Sequence, residues 1–427
     1  MHTRSKCDVL VMIWGMVGRD AEALIPIIYL LRNRYDLTVK VRSIFESSAI
    51  DRLQPRALLT NGCTGSSQTY QITKYATERG VYTVSLHAEG MFKRGTLDAH
   101  VLGWNEDRSP TVRRWYMWNE NAYRWACQQY PQFRDVLVVA GSTLHEKYRI
   151  FKSDDFGTDL LKDRFRSAIL YVGWTFDRAE REDDTLIRRN LQSNREYVID
   201  CLESIANRYR DRILIVKYHP GVLDASGSEI ADYFDRYDNV LVLDDELPLY
   251  QLVILSDIVI SFDSTTMIDA WLAGKPTINL YRGERRIARG ESGYGYSAIR
   301  SGSLVPTNES HLLEYLAQYF ATDSIEDFEK KRSARQKVIR DYIGDPTVKP
   351  SSVVAKHIYQ SLDYSGNPSR PRDWMLIVKG VLNTFFYRHQ WLPNIRGLTH
   401  MRKHYKPDRF EEQYECFAAK MQDYYNS

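Results

Sequence analysis

The pentapeptide KYHPG, Lys217 to Gly221, follows directly on the apolar run RILIV. A short apolar run reads as a buried strand, so His219 is delivered to a strand's carboxyl end, where Pro220 and Gly221 turn the chain. Further on, SDIVISFDSTTMIDAWLAGKPTINL (Ser256 to Leu280) ends a second strand at Phe262 and begins a helix at Ser264, Thr265 and Thr266. Hydroxyls and free backbone amides at a helix N-terminus suit a phosphate. His219 can donate a hydrogen bond to a phosphoryl oxygen, and Lys217 adds charge if its side chain points the same way. Donors aimed at a departing phosphate stabilise the transition state more than the ground state. Taken singly, a His-Pro turn and a Ser-Thr N-cap are ordinary connecting structure. Their place on neighbouring strand ends of one domain is what reads as a phosphate clamp. Imidazole, hydroxyls and a helix dipole need no metal, and the chain shows no acidic cluster, so no metal is expected.

The first half carries a candidate base. VYTVSLHAEGMF (Val81 to Phe92) ends a strand with His87, Glu89 and Gly90. Glu89 is placed to take a proton from an acceptor hydroxyl, and His87, two residues earlier on an extended chain, is the substitute. The plain alternative is a surface Glu at a strand end. Two loops precede helices: WGMVGRD, with Gly15 and Arg19, and LLTNGCTGSSQTY, with Asn61, Gly62 and Ser66. Both are candidate acceptor or donor loops, Arg19 as a partner for a sugar carboxylate. The absence of GxGxxG argues against a dinucleotide oxidoreductase. RRWYMWNENAYRWACQQYP (Arg113 to Pro131) offers aromatics either to stack on a sugar or to fill a core.

Short apolar runs alternate with amphipathic stretches. The strand candidates are DVLVMIW, LTVKVRSI, RALLTN, VYTVSL, AHVLGW and DVLVVAG, then AILYVGW, RILIVKYH, NVLVLD, DIVISF and PTINLY. Helical stretches lie between them, one of them TVRRWYMWNENAYRWACQQY. The pattern runs twice, with a polar break at Phe151 to Ser167. It predicts an α/β chain of two doubly wound, Rossmann-like domains facing a shared cleft, with a helical C-terminal extension. The expected boundaries are 1–155, 156–360 and 361–427.

KYHPG followed by SDIVISFDSTTMIDAWLAGKP resembles the donor half of GT-B glycosyltransferases. Within them it is most similar to bacterial surface-carbohydrate transferases of capsule and lipopolysaccharide synthesis, the CMP-sialic-acid and Kdo branches or the CDP-glycerol branch. The resemblance covers Ile213 to Leu280 and is topological elsewhere. It implies that His219, Ser264 and Thr265 contact the donor phosphate. It also implies that Asp269 stands near an acidic ribose contact, as Asp where Glu is common. Several relatives carry an acidic-acidic-Gly motif whose second acid is the base; only Glu89 of AEG matches it. The implied activity is inverting, metal-independent sugar transfer from a nucleotide-activated donor to a glycan or lipid-linked acceptor. A CMP-activated nonulosonic acid or Kdo is the first donor expected. The rivals are a UDP-sugar 2-epimerase of the same architecture, a CDP-glycerol-type glycerophosphotransferase and a non-catalytic carbohydrate-assembly protein.

The totals bound the rest. The chain has 427 residues, 43% of them hydrophobic, enough for two domains. Lys and Arg number 58 against 55 Asp and Glu, so no polycation is present and nucleic acid is not expected as a partner. Five scattered cysteines without a CxxC pair fit a reducing compartment. The short N-terminal apolar run reads as a first strand, and no run reaches the roughly 18 residues of a spanning helix, so a cytoplasmic protein is expected. Between Trp374 and Pro407 there is no Asp or Glu, while Lys379, Arg388, Arg396, Arg402, Lys403 and Lys406 alternate with Trp, Phe and Leu. Such a segment either lies on anionic lipid from the cytoplasmic side or packs back on the first domain. In the lipid case the full chain sediments with anionic liposomes and a truncation before Trp374 does not.

Overall fold

The structure is a computed structural model. It describes residues 7–88, 90–157, 165–173, 185–218, 227–243, 247–282, 296–363, 373–388 and 406–426. Two compact units emerge, Met1–Ile150 with Arg340–Ser427, and Phe151–Ile339. The stretch 340–360, expected in the second domain, therefore sits with the first. The reason is packing: the helix Pro350–Gln360 buries Val354, Ala355 and Ile358 and lies on the helix Arg19–Asn33 of the first unit.

The first unit holds strands β1 (Val9–Ile13), β2 (Val39–Ser43), β3 (Ala57–Asn61), β4 (Tyr82–Leu86), β5 (Arg114–Met117) and β6 (Leu137–Val139). They form one parallel sheet in the order β2-β1-β3-β4-β5-β6. The second unit holds β7 (Ala168–Gly173), β8 (Ile213–Tyr218), β9 (Val240–Leu243), β10 (Ile258–Ser261) and β11 (Thr277–Asn279). These are parallel too, in the order β11-β10-β7-β8-β9. Helices cover a parallel sheet on both faces, so its central strands become apolar throughout. Accordingly β1, β4, β7 and β10 are buried along their whole length.

Two sequence expectations fail, for related reasons. AHVLGW was expected as a strand, but Asp98–Leu102 is a single π-helical turn, ended by Gly103 at φ +49°. A Cβ on Gly103 would lie 2.3 Å from Thr64 O. Conversely, Arg114–Met117 was expected inside a helix and is β5. Trp115, Tyr116 and Met117 are almost fully buried. A strand buried on both faces has no alternation to betray it, so four residues ahead of a helix merge with that helix. The same burial answers the question posed by the aromatic stretch: Trp115, Tyr116 and Trp118 fill the core rather than form a stacking platform.

The C-terminal extension is helical and packs on the first unit. The helix Pro407–Asn426 buries Phe410, Tyr414, Phe417 and Met421 against the helix Arg19–Asn33. Its end covers Glu146, whose two oxygens accept from Ser351 N (3.0 Å) and Tyr424 Oη (3.3 Å). Burial pushes the Glu146 carboxyl up to about 7, with the bonds from Ser351 and Tyr424 and the charge of Arg149 opposing. The ordinary value is 4.5, so between the two the folded chain holds a proton that the unfolded chain has lost. The stability from this group is complete below the unfolded value and is lost as pH rises through about 7. The slope inside the window approaches about 1.4 kcal/mol per pH unit. Glu146→Gln should remove that slope from unfolding free energies measured between pH 5 and 8. An unchanged slope would mean that burial does not control this carboxyl.

Candidate functional site

In doubly wound sheets ligands bind at the carboxyl ends of the strands, where the strand order reverses. The reversal falls between β1 and β3 in the first sheet and between β7 and β10 in the second. The loops after β1 and β3 are WGMVG and GCTGS, and the loop after β10 is FDST. Topology thus selects three of the segments that the chemistry of the sequence had singled out.

In the first unit Asp20 joins the two loops. Its Oδ1 accepts from Asn61 Nδ2 at 2.8 Å and its Oδ2 from the Gly15 amide at 3.3 Å. Gly62 follows at φ +87°, a backbone open to glycine at little cost. Ser66 is already committed: its hydroxyl accepts from the Thr69 amide at 3.1 Å and caps the helix Ser67–Glu78.

Glu89 lies outside the described residues, but its neighbours are held one carbonyl at a time. The His87 carbonyl accepts from Trp118 Nε1 at 2.6 Å, that of Ala88 from Arg19 Nη2 at 3.0 Å and that of Gly90 from Asn119 Nδ2 at 3.2 Å. Asn119 also donates to Tyr342 O at 2.8 Å. Gly90 admits no side chain, since a Cβ would lie 2.0 Å from the Trp118 ring. His87, Ala88 and Gly90, on either side of Glu89, are thus each tied to the surrounding structure. His145, half-buried, lies against Trp118, with Nδ1 2.7 Å from Ser142 Oγ. Burial, then the charges of Lys147 and Arg19, hold its pKa well below the ordinary histidine range, so the ring is neutral.

His87 is corrected. Its ring is 4% exposed, stacked on Trp115 and 3.1 Å from His100 O through Nε2. That environment is a packed one rather than the open strand end expected of a base.

In the second unit β8 pairs with β7 through Tyr218. His219, Pro220 and Gly221 come next and lie outside the described residues. Lys217, on β8 between β7 and β9, is buried. After β10, Ser264 Oγ accepts from the Thr266 amide (3.2 Å) and donates to Thr266 Oγ1 (3.1 Å). Thr265 is exposed, Thr266 is buried and Asp269 is half-buried on the helix Thr266–Leu272. Of the three hydroxyls, Thr265 is the one turned to solvent, while Ser264 and Thr266 satisfy the local backbone and each other.

Asp263, just before this turn, escaped the sequence reading. It adopts φ +42° and is 1% exposed. Its Oδ1 accepts from Asn279 Nδ2 at 2.9 Å and from Arg300 Nε at 3.1 Å. Burial raises its pKa, with the Asn279 bond and the Arg300 charge opposing. Neither a positive φ at a non-glycine residue nor a pairing across 37 positions leaves a mark on the sequence.

No family model and no curated protein matches the sequence. Solved structures do match the fold. S. aureus MnaA in complex with UDP superposes with a TM-score of 0.57 at 15% identity, covering 86% of this chain and all of that one. The UDP-GlcNAc 2-epimerase of Neisseria meningitidis, bound to UDP-GlcNAc, gives 0.53 at 14% identity over 83% of this chain and all of that one. The wall teichoic acid polymerase TagF gives 0.51 at 12% identity, covering 84% and 90%. The chain has the GT-B fold with a helical C-terminal extension.

Proposed function

We propose that this chain is an inverting, metal-independent glycosyltransferase working on a lipid-linked acceptor in bacterial surface-polysaccharide synthesis. Glu89 takes the proton from the acceptor hydroxyl. The acceptor oxygen then bonds to the anomeric carbon as the bond from that carbon to the donor phosphate breaks. The electron pair leaves with the nucleotide, whose phosphate is met by His219 and Thr265, with Ser264 shaping the turn. A CMP-activated nonulosonic acid or Kdo is the first donor to try, by the resemblance of KYHPG and DSTT. The UDP bound to S. aureus MnaA and the UDP-GlcNAc bound to the Neisseria meningitidis epimerase put UDP-sugars beside it.

One observation carries the choice of transferase: the helix Trp374–Arg388 is inside out for a helix in water. Leu376, Gly380 and Asn383 face inward. Ser47 Oγ bonds Leu376 O (2.7 Å), Asn383 Nδ2 bonds Phe45 O (3.2 Å), and a Cβ on Gly380 would meet Ser48 N at 2.6 Å. Trp374, Met375, Val378, Val381 and Leu382 point outward, each about half exposed or more. They recur at helical spacing, so they form one apolar stripe. The stretch from Trp374 to Pro407 is basic and free of acidic residues. An apolar stripe beside basic residues fits an anionic bilayer, where a lipid-linked acceptor would be held. No described helix is long and apolar enough to cross a membrane, so the helix would lie on the surface.

A truncation before Trp374 would also remove the core residues Phe410 and Phe417, so point changes are the better probe. The full chain should sediment with phosphatidylglycerol vesicles at low salt and be released as salt rises. Val378→Asp with Leu382→Asp should leave it in the supernatant at an unchanged Tm. Equal partition of both proteins would remove the membrane from the reading. For the reaction, CMP-, CDP- and UDP-activated donors are incubated with and without acceptor-bearing vesicles. Nucleotide release that requires vesicles supports transfer. The comparisons favour one second reading, a UDP-sugar 2-epimerase. Turnover of UDP-GlcNAc with no acceptor would establish it and sink the first.

A further inference from the structure

We propose that Arg300 is the fixed anion-binding residue of the second unit and takes phosphoryl oxygens of the ligand. The inference rests on the nucleotide-sugar reading and adds to it a residue that neither KYHPG nor DSTT contains.

Two contacts hold the guanidinium. Its Nε donates to Asp263 Oδ1 at 3.1 Å, and its flat face lies 3.7 Å from the centre of the Tyr281 ring. Behind these, Asn279 is fully buried and clamps both partners. Its Nδ2 donates to Asp263 Oδ1 (2.9 Å), while its Oδ1 accepts from the amides of Asp263 (3.2 Å) and Tyr281 (3.1 Å). The arginine is therefore aligned before any ligand arrives.

The pairing leaves Arg300 its terminal edge. A carboxylate that satisfies an arginine fully takes two parallel N–H bonds. Here the contact is single, through Nε, and Asp263 Oδ2 is buried with no partner. Among the described residues neither terminal nitrogen of Arg300 makes a hydrogen bond, and the side chain is 30% exposed. Two coplanar N–H donors aimed outward match two oxygens of one phosphoryl group. The place fits as well: Asp263 directly follows Phe262 at the end of β10, beside β7, where the strand order reverses.

The test is calorimetry on the full chain with inorganic pyrophosphate, with UDP, CDP, GDP and CMP, and with uridine and cytidine as uncharged controls. Arg300→Ala should weaken pyrophosphate and the best nucleotide by about 10- to 100-fold and leave the nucleosides unaffected. Arg300→Lys keeps the charge without the fork and should recover only part of the loss. Asp263→Asn should fall between wild type and Arg300→Ala, because it removes the alignment and not the donors. Alanine and wild-type proteins binding alike would overturn the proposal, and so would a wild type that binds none of the anions. Arg300-dependent binding of pyrophosphate without any nucleotide binding would keep the anion site and defeat the nucleotide-sugar reading. Nucleotide binding indifferent to Arg300 would do the reverse.

Discussion

His219→Ala lowers kcat by about 10²- to 10³-fold and leaves Tm close to that of the wild-type chain. The rate effect is the usual size for removing one donor aimed at charge that develops in the transition state. The unchanged Tm follows from where the strand's stability resides. Ile213, Leu214, Ile215 and Val216 are buried apolar residues of β8, and the pairing with β7 ends at Tyr218, before the histidine. Initial rates with donor and acceptor, beside a melting curve, are the measurement. His219→Gln retains an N–H donor and should keep part of the rate. Near-wild-type turnover by the alanine variant would remove His219 from the phosphate clamp.

The largest expected loss of stability comes from Lys147→Met. Lys147 Nζ and Glu22 Oε2 are 2.5 Å apart, with both side chains less than a tenth exposed. Removing the cation leaves a buried carboxylate uncompensated, which costs about 3–5 kcal/mol. Urea unfolding at pH 8 should show this loss in the transition of the first unit. Glu22→Leu added to Lys147→Met should restore most of it, because an apolar pair carries no desolvation cost. A loss below about 1 kcal/mol would mean that water reaches the pair and screens it. The pair also serves the site. Glu22 stands in the first turn of the helix that presents Arg19 and Asp20, so loosening it should weaken ligand binding as well as the fold.

The elements were legible where an apolar run is set off by turn residues on both sides. In the second unit every expected strand is present, because an apolar run bounded by turn residues has few other uses in an alternating α/β chain. The two errors, at Asp98–Leu102 and Arg114–Met117, fall where a short apolar segment could satisfy its backbone in more than one way. The packed setting of His87 was hidden for a different reason. Its place after a strand is visible in the sequence, but the direction of its ring depends on Trp115 and His100, which come later in the chain.

By itself the sequence determined the repeated α/β pattern, the strand ends that carry Glu89, His219, Ser264 and Thr265, and the basic, acid-free stretch near the C-terminus. These are local properties, written in apolar runs, turn residues and charge along the chain. Only the tertiary structure decided which loops meet at the reversals of strand order, through Asp20 in one sheet and through Asp263, Asn279 and Arg300 in the other. It also decided that the helix Trp374–Arg388 turns Leu376, Gly380 and Asn383 inward and an apolar stripe outward. Those outcomes depend on which surfaces are left to pack once the sheets have formed. Residues far apart in sequence settle that competition, so no local pattern records it.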